Sequence, residues 1–468
     1  MANRLFDFGM IGLGVMGRNL LLNMADHGFA VAGFDRDATK TQALETSATA
    51  GTTVKGTSSL EELVQGLARP RRIMMLVPAG QPVDDVIESL MPLLDEGDVI
   101  IDGGNSHYVD TLRRVKYVKS KGFHFMGMGV SGGEKGARFG PSIMPGGDVQ
   151  AYNNVKPMLE AVSAKVNGSP CVDYMGHDAA GHYVKMVHNG IEYGIMQLIS
   201  EAYSLLQHAG FSNAQLHDVF AKWNEGDMQS FLIEITRDIF VKKDDKTGKD
   251  LVDLISDKAG SKGTGKWTSQ DAMDLPVPIT VIDTAVALRN ISAFKEDRVA
   301  VAKIFPGVEK INISNDELVD QVHDALYFAT LISYIQGLAM LQAASAELKM
   351  EIPLQNVVRI WRGGCIIRSG LLETFYEAFL KNPTLGNLLL DETIADLIKS
   401  KLAKTRIIVG EAAKAGIPVA AISAALAYFD AYRTERLPTN LVQAQRDYFG
   451  AHTYQRIDIE GTFHTEWQ

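Results

Sequence analysis

A glycine-spaced hexapeptide, Gly12-Leu13-Gly14-Val15-Met16-Gly17, lies directly between an apolar run, DFGMI, and a helix-like segment, RNLLLNMADHG. No other feature restricts the fold as strongly. Gly12 permits the tight turn, Gly14 lets backbone approach a pyrophosphate, and Gly17 allows the following helix to pack closely, with its N-terminus facing the phosphates. Such a spacing alone also fits an ordinary glycine turn. Here a strand precedes it, Gly28 ends the helix after it, and the next apolar run, Ala30 to Phe34, leads into an acid, Asp35, 18 residues beyond Gly17. That context predicts a dinucleotide site along Gly12, Leu13, Gly14, Val15, Met16 and Gly17. Asp35 can accept hydrogen bonds from ribose hydroxyls and repels a ribose 2′-phosphate, and Asp37 adds to the repulsion. Arg36 pulls the other way, because a guanidinium can hold a phosphate or stack on adenine. The balance favours NAD over NADP.

Further apolar runs at Arg72 to Val77, Asp98 to Asp102 and Phe123 to Gly129 alternate with helix-like segments. Alternation of that kind predicts an α/β unit with a doubly wound parallel sheet over residues 1–178. From about Asp178 the pattern changes to helical spacing, as in Val184 to Ala209, Ser314 to Leu348 and Thr393 to Ala415, so residues 179–436 read as all-α. Residues 437–468 hold QAQRDYFGAHTYQR, aromatic and basic with little helical periodicity, a tail suited to docking.

With 46% hydrophobic and 22% charged residues in 468, the composition is that of a globular protein. A formal charge of −10 disfavours nucleic-acid partners, so affinity for a phosphate must come from a few placed cations. The apolar stretch Ala415 to Phe429 contains Pro418 and stops at Asp430, too short to span a bilayer, and no membrane partner is expected. Met1 to Gly14 leaves no room for a signal peptide, which points to the cytoplasm. Cys171 and Cys365 lack metal or disulfide spacing and read as buried small side chains.

The segment GHYVKMVHNGIEYG places Lys185, His188, Asn189 and Glu192 on one face of a helix, with Met186, Val187 and Ile191 opposite. A solvated polar stripe gives the same pattern. Two considerations favour chemistry. Gly190 in mid-helix costs about 1 kcal/mol relative to alanine and suggests close approach by a ligand or another backbone. Lysine and glutamate can also serve as base and acid when burial moves their pKa values toward neutrality. Two more glycine loops, DGGNS and SGGEKGAR, follow apolar runs. In an open parallel sheet they place Asn105, Ser131, Gly132 and Gly133 toward the nicotinamide end. Lys262, Arg289, Arg446 and His452 remain as phosphate candidates, although surface cations are common.

Taken together, GLGVMGRNL, DGGNS, SGGEKGARFGPSIMPGG, GHYVKMVHNGIEYG, LIEIT, KGTGKWT and RDYFGAHTYQR resemble the 6-phosphogluconate dehydrogenase family of the β-hydroxyacid dehydrogenase superfamily, from the first strand to the tail. The resemblance implies a Rossmann-like domain, a large helical domain and a C-terminal tail that enters the partner subunit of a homodimer. It makes Lys185 the general base and Glu192 the general acid, and adds Val77, Pro78, Ala79 and Asn105 to the cofactor contacts. It gives the substrate, 6-phosphogluconate, to Asn105, Ser131, Gly132, Gly133, His188 and Asn189. The phosphate goes to Tyr193, Lys262, Thr264 and Arg289, with Arg446 and His452 supplied by the other subunit. No metal is implied.

The chain departs from the common NADP-dependent pattern of that family. Asp35, Arg36 and Asp37 stand where Asn, Arg and Thr or Ser are usual, and Pro78 stands in place of Lys; both changes look more like NAD-using members. Lys135 and Ile195 replace a usual Glu and Asp at positions without an assigned role. The competing readings are a hydroxyisobutyrate-type dehydrogenase, which would not need KGTGKWT or RDYFGAHTYQR, and a silent dinucleotide-binding protein, which would not need both Lys185 and Glu192.

Overall fold

The computed structural model describes residues 5–311 and 313–467. Seven strands form one sheet: β1 (Phe8–Ile11), β2 (Val31–Phe34), β3 (Val54–Gly56), β4 (Arg72–Met75), β5 (Val99–Asp102), β6 (His124–Ser131) and β7 (Ser142–Gly147). Their order is β3-β2-β1-β4-β5-β6-β7. Phe8 and Met10 point into one buried layer and Ile11 into the other; Val99 and Ile101 likewise oppose Ile100. Helices cover both faces, which is why these strands read as continuous apolar runs rather than alternating ones.

Two strands of this sheet escaped the sequence reading. β3 is three half-exposed or exposed residues, and β7 contains Pro145 and two glycines. β7 also runs antiparallel to β6, from Met126 opposite Gly147 to Ser131 opposite Ser142, so the sheet is mixed rather than wholly parallel. Only a seven-residue helix, Gly133–Phe139, joins the two strands. That connection is too short for a crossover back to the start of the sheet.

Beyond the sheet the chain is helical, built on Ala180–His208, Asn315–Glu347 and Glu392–Ala415. The first two cross where Gly337 meets Ile191 and Val187; a Cβ at Gly337 would lie 2.5 Å from the Ile191 side chain. The Asn315–Glu347 helix is long and apolar enough to cross a membrane by length and composition, and 94% of its most apolar window is buried in the protein. It is the axis of a core.

The first of these helices lies directly against the sheet. Glycines make this possible: a Cβ at Gly129 would meet the Lys185 Cβ at 2.4 Å, one at Gly127 the His182 ring at 2.8 Å, and one at Gly146 the Gly181 nitrogen at 2.2 Å. The tail, whose sequence has little helical periodicity, nevertheless begins with a helix, Thr439–Gly450, followed by a two-stranded hairpin. Asp447 alone is buried in that helix, and its apolar residues Leu441, Val442, Tyr448 and Phe449 are exposed, so the helix packs no apolar face on its own chain. Its carboxylate accepts from Thr453 N at 2.9 Å, His464 Nδ1 at 2.9 Å, Thr465 N at 3.1 Å and Trp467 Nε1 at 2.9 Å.

Candidate active site

Strand order reverses between β1 and β4, and the loops leaving these two strands face each other. Gly12 has φ +91°, and a Cβ there would sit 2.5 Å from the Leu76 carbonyl oxygen. A Cβ at Gly17 would collide with the Gly12 carbonyl oxygen at 2.0 Å, whereas one at Gly14 would meet nothing within 4 Å. Two glycines thus close the turn and the third leaves open space at the N-terminus of the Val15–Asp26 helix. The residues present fit a dinucleotide pyrophosphate.

Asp35 follows β2 and accepts from Leu13 N at 2.8 Å and from Asp37 N at 3.0 Å, so it anchors the glycine loop as well as facing the crevice. Lys40 Nζ lies 3.4 Å from its carboxylate, whose side chain is 11% exposed. Asp37 caps the Ala38–Thr46 helix through Thr39 N. Arg36 is exposed. Val77, Pro78 and Ala79 leave β4 beside Gly12, and Asn105 is exposed at the mouth of the loop after β5. That loop is stiffened by Asp102, which accepts from Gly104 N at 3.0 Å and Ser106 Oγ at 2.6 Å.

Lys185, His188, Asn189 and Glu192 do share a face, but the face is buried rather than solvated. Lys185 is 6% exposed, His188 fully buried and Asn189 8% exposed. Lys185 Nζ is 3.4 Å from His188 Nδ1, which is 3.1 Å from Asn189 Oδ1 and 3.9 Å from Glu192 Oε2. His188 Nε2 is 3.1 Å from Ser131 Oγ at the end of β6, where Gly132 and Gly133 turn the chain with φ of +120° and +62°. Burial pushes the Lys185 ammonium down, against the pull of Glu192, and pushes the Glu192 carboxyl up, against Lys185 and Arg289. His188 is held well below the usual imidazole range by burial and by Lys185. An amine pushed toward neutrality and a carboxyl pushed toward its protonated form on one helix face are the chemical types of a base and an acid.

The phosphate candidates other than Arg446 and His452 lie on the Ala180–His208 helix itself and on or beside the helices packed against it. Arg289 lies over the Tyr193 ring at 3.5 Å and donates to the Gly260 carbonyl at 3.0 Å. Thr264 opens the Thr264–Asp274 helix, and Lys262 is exposed just before it. The close approach expected at Gly190 is made by a side chain, not by ligand or backbone: a Cβ there would stand 2.7 Å from Thr268 Cγ2. Thr268 Oγ1 donates to Met186 O at 3.0 Å, locking this helix to the Ala180–His208 helix. Arg446 and His452 are not brought to the pocket of their own chain. Arg446 bonds Gln443 at 3.1 Å and the His452 ring packs near Phe449, both within the tail.

The sequence reading missed the segment Trp361 to Ile366. Trp361 meets the His188 ring edge-on at 5.6 Å, and Ile366 N donates to Ser131 Oγ at 3.4 Å. Cys365, fully within this layer, is buried and free, and its thiol donates to Trp361 O at 3.0 Å. The Gly363-Gly364 pair was the available signal, since Gly364 has φ +67° and packs on Gly140 and Pro141.

Two family models match this chain: the NAD binding domain of 6-phosphogluconate dehydrogenase over residues 7–176 and the 6-phosphogluconate dehydrogenase C-terminal domain over residues 181–467. A Bacillus subtilis protein named 6-phosphogluconate dehydrogenase, NADP(+)-dependent, decarboxylating, is 53% identical over 98% of this chain and 99% of its own length. A decarboxylating 6-phosphogluconate dehydrogenase of Synechococcus elongatus is 51% identical over 98% of this chain and 99% of its own. Among solved structures, the Plasmodium falciparum 6-phosphogluconate dehydrogenase, studied in apo form and with NADP+ or 6-phosphogluconate, superposes with a TM-score of 0.95 at 47% identity. That match covers 98% of this chain and all of the other.

Proposed function

The chain belongs to the 6-phosphogluconate dehydrogenase family of decarboxylating, NAD(P)-dependent oxidoreductases, and from that premise we propose that it oxidises and decarboxylates 6-phospho-D-gluconate to D-ribulose 5-phosphate and CO2 in the cytoplasmic pentose phosphate pathway. The observation that carries the reading is the buried Lys185–Glu192 face, with the amine lowered and the carboxyl raised by burial. The glycine loop, Val77, Pro78, Ala79 and Asn105 would hold the nicotinamide dinucleotide, which when bound would supply the acceptor for the hydride of carbon 3. Neutral Lys185 takes the 3-hydroxyl proton. Its ammonium then polarises the 3-keto oxygen while the C1 carboxylate leaves carbon 2 as CO2, and the electron pair of the broken C1–C2 bond is held as an enediol. Glu192 delivers a proton to the carbon that lost CO2. Asn105, Ser131, Gly132, Gly133, His188 and Asn189 orient the carboxylate and hydroxyls, and Tyr193, Lys262, Thr264 and Arg289 hold the phosphate.

Arg446 and His452 reach the partner subunit's pocket in a homodimer. Exposed Leu441, Phe449 and Ile457 on the same tail support this, because an apolar surface of that kind requires cover. For the cofactor we infer NAD over NADP, on the strength of Asp35, Asp37 and Pro78. Purified protein assayed with 6-phosphogluconate and each dinucleotide, following nicotinamide absorbance and CO2 release, tests all of this. Absence of turnover with both refutes the activity, and higher kcat/KM with NADP+ refutes the cofactor preference.

A further inference from the structure

Asp271 has no part in the roles assigned above, yet its side chain occupies the junction of three elements. It is 7% exposed on the Thr264–Asp274 helix, and its two carboxylate oxygens each accept a phenol: Oδ1 from Tyr108 and Oδ2 from Tyr183. Tyr108 is the first residue of the Tyr108–Ser120 helix, directly after the loop that carries Asn105. Tyr183 lies two residues before Lys185 on the catalytic helix. The Asp271 helix itself begins at Thr264, just past Lys262. The two phenol rings meet edge-on at 4.9 Å, and the His107 ring packs 4.7 Å from Trp267 beside them. Burial and the carboxylate push both phenols up, which keeps them donors.

A purely adhesive junction would not need a carboxylate. Apolar side chains of similar volume hold buried contacts as well as or better than desolvated charge does. What two directed bonds to one rigid group add is a fixed spacing. Resting on the reading of the site given above, we propose that Asp271 is a positioning residue: through Tyr108 and Tyr183 it sets the distance between the Asn105 loop, the Lys185 helix and the Lys262–Thr264 phosphate loop. It thereby matches the pocket to the length of a six-carbon phosphorylated acid. The reacting end of the substrate is held by the first two elements and the phosphate by the third, so a slack junction weakens simultaneous engagement of both ends.

Asp271→Asn, Tyr108→Phe and Tyr183→Phe in the full chain test this, with 6-phosphogluconate and dinucleotide varied independently. Wild-type turnover in the same assay tests the underlying activity, and only the variants' values relative to wild type test the clamp. Loss of a bond to a buried charged group predicts a rise of about tenfold in the 6-phosphogluconate KM for Asp271→Asn, with the dinucleotide KM held within about twofold. A merely structural role lowers the melting temperature and the active fraction, hence kcat, and leaves both KM values unchanged; that result overturns the proposal. A parallel rise in both KM values also overturns it. Should Asp271→Asn fail to fold, each Tyr→Phe variant removes one hydroxyl without a change of ring volume and carries the same comparison.

Discussion

Replacing Asp35 with Asn separates two effects of one carboxylate, the anchoring seen in its hydrogen bonds and the repulsion of a 2′-phosphate on which the proposed NAD preference rests. The first is mechanical. Asp35 accepts from Leu13 N and Asp37 N on different oxygens, and Asn has one acceptor oxygen, so one of these bonds is lost. That loosens the glycine loop and weakens both dinucleotides alike. The second is electrostatic and falls on NADP+ only. Unit charges about 5 Å apart interact by about 3 kcal/mol at the effective dielectric of a protein surface and by about 1 kcal/mol in water. Lys40, 3.4 Å from the carboxylate, offsets part of the repulsion. Relief of about 1–2 kcal/mol remains, which shifts the ratio of kcat/KM for NADP+ to that for NAD+ upward by roughly tenfold. Steady-state assays with both cofactors at low and high salt measure this ratio. The wild-type discrimination should shrink as salt screens it. A ratio unchanged within about twofold, or moved toward NAD+, refutes the claim that Asp35 repels the 2′-phosphate.

Four further outcomes are expected. Lys185→Met should lower turnover by about 10²–10⁴-fold while fluorescence titration shows unchanged dinucleotide binding, because the base is lost and the glycine loop untouched. Glu192→Gln should remove the alkaline decline of the kcat/KM profile: the wild-type acid is lost as pH rises through its raised pKa, and the amide has no proton to lose. Gly190→Ala gains helix propensity of about 1 kcal/mol but overpacks against Thr268 at a cost of about 1–3 kcal/mol; a lowered melting temperature with a higher substrate KM is the expected pair, and a stabilised enzyme would contradict the close contact. Asp447→Ala deprives four donors in the tail of their acceptor, so sedimentation should show weakened dimers and the substrate KM should rise.

The dinucleotide half was legible because glycine positions encode local backbone geometry: Gly12 needs positive φ, Gly17 needs the absence of a side chain, and both requirements are written at single positions. β3 and β7 were not, since one is too short and the other contains proline and glycine within a strand. The polar face of the Ala180–His208 helix was visible as a pattern, but its burial was not. What covers it comes from Ser131, Trp361 and Ile366, contacts distant in sequence that leave no periodic trace. Asp271 belongs to the same class, reading as one more helix carboxylate until two tyrosines from other elements are seen to converge on it.

The glycines facing the catalytic helix carry a consequence for how such a site can change. Because Gly146 sets sheet backbone against the helix backbone at Gly181, and Gly129 sets it against the first carbons of the Lys185 side chain, the location of the Lys185 amine is inherited from two stiff elements rather than from a replaceable set of packing residues. On the proposed reading, changes at Asp35 or Val77, away from this contact, retune the cofactor preference without moving the Lys185 amine. Cofactor preference and the placement of that amine are therefore free to vary separately.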